Sequence, residues 1–130
     1  MGCKMCNMEI SEEDGKYCVE CAESVIRDHI DEQIRLGKTK LTIYVSHNPL
    51  AKEMANLLIS ALSRQITEIE LRSRGRYMAR AIDILEIIKR KINIVEFIKS
   101  HTDILRDRTG TRDINISAII ITIKKARNQP

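Results

Sequence analysis

Arg72, Arg74, Arg76 and Arg80 fall within the twelve residues RSRGRYMARAID, around a single glycine, Gly75. The alternating run before them (Glu68, Ile69, Glu70, Leu71) reads as a strand and a helical pattern follows, so the arginines gather where a strand gives way to a helix. A helix start carries unpaired backbone N–H groups and the positive end of the helix dipole. Guanidinium groups added there make a corner suited to phosphate, which arginine grips with two parallel hydrogen bonds. The bland alternative is a solvated charged turn. Against it, the only acidic residue of the segment is Asp83, at its far end.

All four cysteines lie in the first 21 residues, as Cys3-x-x-Cys6 and Cys18-x-x-Cys21, with eleven residues between the pairs. Two such pairs supply the four tetrahedral thiolates of a structural zinc site, and four cysteines leave no open position for water. A segment this short cannot bury enough apolar surface to fold alone, so bound Zn2+ is expected to supply its folding energy. Iron–sulfur chemistry and two disulfides are the alternatives, although nothing in the sequence speaks for an oxidising compartment. His29, eight residues past Cys21, reads as a helix surface residue rather than a fifth ligand. Catalysis is not expected: His47, Asp83 and His101 are scattered, and no pair has the spacing of a catalytic metal or acid–base site.

The elements that must position these groups follow from hydrophobic period. Ala22–Leu36 reads as a helix with Val25, Ile26, Ile30 and Ile34 on one side and Gly37 as its C-cap, which puts Cys18 and Cys21 at its N-terminus. Leu41, Ile43 and Val45 alternate as a first strand; the turn Ser46-His47-Asn48-Pro49 follows, with Pro49 suited to the first helical position. Apolar residues from Leu50 to Leu62 then recur at helical spacing. A second strand covers about 67–73, a second helix about 77–91, a third strand about 94–104 and a fourth about 115–124. The order β-α-β-α-β-β predicts an α+β fold, a mixed four-stranded sheet with two helices on one face, the βα units favouring parallel pairing and the last two strands forming a hairpin. The zinc module and its helix precede it. The hairpin link, residues 106–113, carries Arg106, Arg108 and Arg112 on an arm able to order against a phosphate backbone, or is an ordinary solvated loop. In the fourth strand, Ile119, Ile120 and Ile121 in a row ask for burial on both faces, which hints at a subunit interface.

Composition bounds the rest. The 130 residues, 43% hydrophobic and 31% charged, suit one globular domain with a small appendage. One Phe, three Tyr and no Trp leave an aliphatic core and make base stacking a weak prospect, with Tyr77 reading equally as a stacking residue or a packing one. No apolar run approaches the roughly 18 residues that span a bilayer, so no membrane partner is expected, and MGCKMCNMEI lacks the stretch of a secretory signal. A cytoplasmic protein is the expectation. The net charge of +4 divides unevenly: residues 1–37 have four basic and nine acidic residues, a formal −5, while residues 38–130 have eighteen and nine, a formal +9. Two modules with that boundary are expected, the basic one facing a polyanion.

The stretch Lys40–Ala126 resembles the Alba family of archaeal chromatin proteins, which has eukaryotic RNA-binding relatives. The turn with Pro49, the RGRYMARAID segment, the basic hairpin around Gly110 and NISAIIITIKK (Asn115–Lys125) carry the likeness. The resemblance implies a fold similar to the C-terminal domain of initiation factor three. It also implies a homodimer associated with the nucleoid, its body on double-stranded DNA or RNA and two hairpin arms along the grooves. By position it makes Arg74, Arg76 and Arg80 body contacts and puts Arg106, Arg108 and Arg112 in the arm. Two departures stand out. His47 and Asn48 occupy positions where the family commonly has lysines, one of them an acetylation site, with Lys52 one turn on as partial replacement. Ile92 stands where an aromatic residue helps related dimers stack on DNA. The cysteine module is an addition, for which a protein partner is a further expectation. The alternatives to a chromatin role are an RNA-processing component and a zinc-dependent module that regulates nucleic-acid binding.

Overall fold

The computed structural model describes residue 2 and residues 18–46, 49–106, 109–110 and 112–126. In chain order these form α1 (Val19–Arg35), β1 (Lys40–Tyr44), α2 (Ala51–Leu62), β2 (Glu68–Arg74), a 3-10 turn (Gly75–Tyr77), α3 (Met78–Lys91), β3 (Ile94–Arg106) and β4 (Asp113–Lys125). The expected order is therefore present: a mixed four-stranded sheet with α2 and α3 on one face, and α1 as a third helix. α1 begins at Val19, three residues earlier than the apolar pattern indicates, because the pattern starts only where the helix meets the core. It ends in a Schellman turn, the N–H of Lys38 reaching the carbonyl of Gln33 and that of Gly37 the carbonyl of Ile34, both at 3.0 Å. Gly37 takes φ 79° there, a backbone conformation open mainly to glycine.

The strand order is β1-β2-β4-β3. β1 and β2 run parallel, joined across α2, and β4 lies antiparallel between β2 and β3. The hairpin thus inserts its second strand into the middle of the sheet, so β2 and β3, though joined by α3, never pair. Because strand side chains alternate, one sheet face carries Leu41, Ile43, Ile69, Leu71, Ile121 and Ile123, all at 2% exposure or less. Opposite them α2 buries Met54 and Leu58, and α3 buries Ile84, Leu85 and Ile88. Each such side chain is worth about 1.5–3 kcal/mol of transfer free energy. α1 adds Ile30 to the same core, with Ile26 and Ile34 half-buried against it. An Arg64–Asp31 ion pair of 2.9 Å and a hydrogen bond from Gln65 Nε2 to the Lys38 carbonyl (2.7 Å) tie α1 and its C-terminal turn to the α2–β2 connection.

Three expectations are corrected in detail. Pro49 is not the first helical residue: Leu50 is the N-cap and its carbonyl accepts the first helical bond, from Met54 N–H at 2.9 Å. Pro49 is instead buried before the helix, with its carbonyl engaged elsewhere. The hairpin is longer than its sequence pattern, pairing out to Arg106↔Asp113. Finally, β4 is largely satisfied within the chain: Ile119 and Ile121 are buried in the helix-side core, and Ile120 is half-buried on the other face. Exposed large apolar side chains lie on β3, at Val95, Phe97, Ile98 and Ile104, and also at Ile114 of β4, Ile82 of α3 and Tyr44 of β1.

Candidate nucleic-acid interface

β2 delivers the arginine cluster. Along it Glu70, Arg72 and Arg74 alternate onto the sheet face opposite the helices, and the chain then turns through Gly75 into the 3-10 segment and α3. Gly75 has φ 60°, and a Cβ there would sit 3.7 Å from Ile116 Cγ2, an ordinary contact, so it is backbone conformation rather than space that favours glycine. The four guanidinium groups then part company. Arg72 stays on the sheet, bound to Glu70 at 2.8 Å. Arg74 is exposed at the strand end, 3.6 Å from Asp103 of β3. Arg76 lies over the Tyr77 ring, 5.2 Å from its centroid, and donates to the Tyr77 hydroxyl at 3.2 Å. Tyr77 itself is half-buried against the core, which favours its packing role.

Arg80, one turn into α3, donates from Nη1 to the Pro49 carbonyl at 3.2 Å. That bond joins the β1–α2 turn to the β2–α3 corner. Lys52, exposed in the first turn of α2, sits beside the same turn. His47 and Asn48 lie outside the described residues. The structure therefore assembles Arg74, Arg76, Arg80 and Lys52 around two adjacent βα connections, while Arg72 belongs to the sheet face behind them.

The arm rises from the same end. β2 leaves the sheet at Arg74↔Ala118, so Thr102–Arg106 and Asp113–Ser117 pair only with each other. At about 3.4 Å per residue this two-stranded ribbon projects about 17 Å. Near its tip Arg106 donates to the Gly110 carbonyl at 2.8 Å and approaches Asp113 at 3.8 Å. Arg112 is exposed there, and Arg108 lies outside the described residues.

The sequence model of the Alba family matches residues 41–104. That stretch of the chain is similar to the Alba family. DNA/RNA-binding protein Alba 1 of Archaeoglobus fulgidus is 29% identical over 87 residues, 65% of this chain and 94% of that protein. The solved structure of Alba from Thermoplasma volcanium superimposes with a TM-score of 0.57 at 22% identity, over 65% of this chain and 99% of that one, a likeness of fold. α1 and the cysteine segment precede the matched stretch.

On the sheet face behind the arginine corner lies a cleft of about 600 Å³. Arg72, Arg74 and Arg76 line it on one side, His101 and Asp103 on the other, with Tyr44 at its end and Ala118 and Ile120 in its floor. Tyr44 is 71% exposed and pairs in register with Arg72. Sequence alone does not single it out, although the alternation that buries Leu41 and Ile43 turns Thr42 and Tyr44 outward.

Cys18 is the N-cap of α1 and Cys21 its third residue, so the helix places the second cysteine pair at its positive end as expected. Cys18 is buried and Cys21 half-buried. Cys3 and Cys6 lie outside the described residues, and among the described residues no group of three or more His, Cys, Asp or Glu is placed to hold a metal. His29 is exposed on the helix. Among the described residues no helix is long and apolar enough to cross a membrane.

Proposed function

We propose that the protein binds double-stranded DNA or RNA with little sequence preference, as a nucleoid-type protein, through Arg74, Arg76, Arg80 and Lys52 of the body and Arg106, Arg108 and Arg112 of the arm. His47 and Asn48 add hydrogen bonds from the turn that Arg80 braces. The observation that carries this reading is the meeting of two βα connections and a basic ribbon at one end of the sheet, in a domain whose curated relative is named for DNA and RNA binding. Contacts of this kind go to phosphate and position without specifying sequence. The reading is one of binding, not of catalysis. Replacing Arg74, Arg76 and Arg80 together with alanine should abolish retention of duplex, provided circular dichroism shows the protein folded; unchanged retention would mean the surface is misplaced.

Two copies are expected to act together. Ile98, 56% exposed on β3, and Ile82, 43% exposed on α3, lie on the helix side of the sheet and supply an apolar surface for a second copy. Ile98→Asp should shift sedimentation from dimer to monomer; a parent that sediments as a monomer would overturn the assignment.

The N-terminal module, residues 1–37, is proposed to fold around one structural Zn2+ held by Cys3, Cys6, Cys18 and Cys21. The placement of Cys18 and Cys21 at a helix N-terminus supports it, because the dipole there stabilises thiolate. The opposite charges of the two halves of the chain favour a regulatory or partner-binding role for this module. Metal analysis of purified protein should find one zinc per chain, lost in Cys18→Ser. A change in duplex affinity on zinc loss would mark regulation within the chain, and no change an external partner.

A further inference from the structure

The cleft behind the arginine corner shares Arg74 and Arg76 with the duplex surface but adds chemistry that duplex binding does not use. Its floor is aliphatic, its end wall is the exposed ring of Tyr44, and its lining has three arginines against one carboxylate, Asp103. A volume of about 600 Å³ lies within the roughly 300–1,000 Å³ of ligand sites, room for a nucleotide but not for a double helix. An apolar floor with an accessible aromatic face takes a base, and guanidinium groups beside it take the attached phosphate. The base must be unpaired, because a paired one keeps its faces within its own stack.

Asp103 adds a discrimination. One of its oxygens meets His101 at 3.0 Å and the other meets Arg74 at 3.6 Å, and a carboxylate so placed still has lone pairs to accept a further hydrogen bond. A carboxylate repels phosphate but accepts from a ribose 2′-hydroxyl, which a DNA strand lacks.

We propose that this cleft is a binding site for single-stranded RNA, with a base stacked on Tyr44, its phosphate held by Arg72 and Arg74, and its ribose read by Asp103. The site rests on the reading of the protein as a nucleic-acid binder, but it depends on Tyr44, which lies outside the duplex surface. A strand seated here continues along the open sheet face past Lys99, which pairs with Ile120, and Lys124, two residues beyond Thr122 on β4.

The chain has no tryptophan, so Tyr44→Trp supplies a fluorophore at this site alone. Titration of the full-length Tyr44→Trp protein with an oligouridylate should quench that fluorescence, and a self-complementary duplex should not. Tyr44→Ala should weaken oligouridylate binding about tenfold by anisotropy, as expected for loss of one base stack, and leave duplex retention unchanged. The parent should prefer oligouridylate to the deoxyuridine oligomer of the same length, and Asp103→Asn should narrow that preference. Absence of quenching at saturating oligouridylate, or an affinity unmoved by Tyr44→Ala, overturns the site. Equal binding of the two oligomers by the parent overturns the assignment to RNA. Weakened duplex retention in a variant lacking Lys52 and the arm residues Arg106, Arg108 and Arg112, none of which lines the cleft, with quenching intact, separates the two surfaces.

Discussion

Arg80 and Pro49, thirty-one positions apart in the chain, are joined by a 3.2 Å hydrogen bond from a guanidinium nitrogen to a backbone carbonyl. Proline cannot donate from its own nitrogen, so this carbonyl is the polar group through which it can be fixed. Arg80 is therefore both a cation near the proposed phosphate surface and a brace for the turn that begins α2. Arg80→Ala should destabilise the fold by about 1 kcal/mol in urea unfolding and speed hydrogen exchange in the β1–α2 turn. Unaltered exchange there would mean the bond does not hold the turn.

Phosphate-led binding fixes a salt dependence. With about six phosphates neutralised per dimer, duplex affinity should fall on the order of a thousandfold between 50 and 200 mM monovalent salt. Arg74→Ala should reduce the slope of log K against log salt by about 0.9 for each phosphate that the variant leaves without its cation. A slope unchanged in that variant would remove Arg74 from the interface, whatever its effect on affinity.

Glu68 sits between Lys40 and Lys124, with Nζ to carboxylate distances of 3.3 and 3.4 Å. Partial burial alone would raise its pKa, but hydrogen bonds from Lys40 and Lys124 overcome this and hold it below the ordinary value of 4.5. A folded-state value below the unfolded one means that the stabilisation is present above about pH 4.5 and is lost as pH falls through the folded value. Hydrogen bonding to Glu68, aided by the charges of Glu70 and Glu68, raises the Lys40 pKa above 10.5, so the alkaline limit of the same cluster lies above that pH. Glu68→Gln should lower the melting temperature by a few degrees at pH 7 and by much less at pH 3. An equal loss at both pH values would exclude the charge mechanism.

Gly75 tests the corner without touching a charge. Gly75→Ala forces a Cβ into φ 60° with only an ordinary contact to meet, so the cost should be conformational, about 1–2 kcal/mol in thermal or urea unfolding. Because Arg74 and Arg76 flank it, duplex affinity should fall as well. A variant as stable as the parent would show that the turn tolerates another backbone path.

Much of this architecture was legible in the residues. Alternating or continuous apolar runs located the strands of the sheet, and the apolar stripes of α2 and α3 located the helices, because each buries one side against the other layer. What local pattern does not contain is strand order. Ile119, Ile120 and Ile121 signalled burial on both faces, and a neighbouring subunit was one way to supply it. The sheet supplies much of it internally by placing β4 between β2 and β3. The arginines were likewise visible as a cluster, but not their separation: Arg72 is drawn to Glu70 because residues two apart share a sheet face. Tyr44 was one aromatic among few, and only the register that sets it beside Arg72 gives it a setting.

The central position of β4 also bears on synthesis at the ribosome. Ile121 and Ile123 complete the middle of the sheet, yet they are translated after every element they pack against. Until they emerge, the inner edge of β2 has no hydrogen-bonding neighbour, and Ile69 and Leu71 lack their companions. The nascent chain must then carry an open, apolar strand border from the completion of β2 until β4 is made, a state that invites pairing with other chains. Acquisition of protease resistance should therefore come late and abruptly, as the last strand clears the exit tunnel.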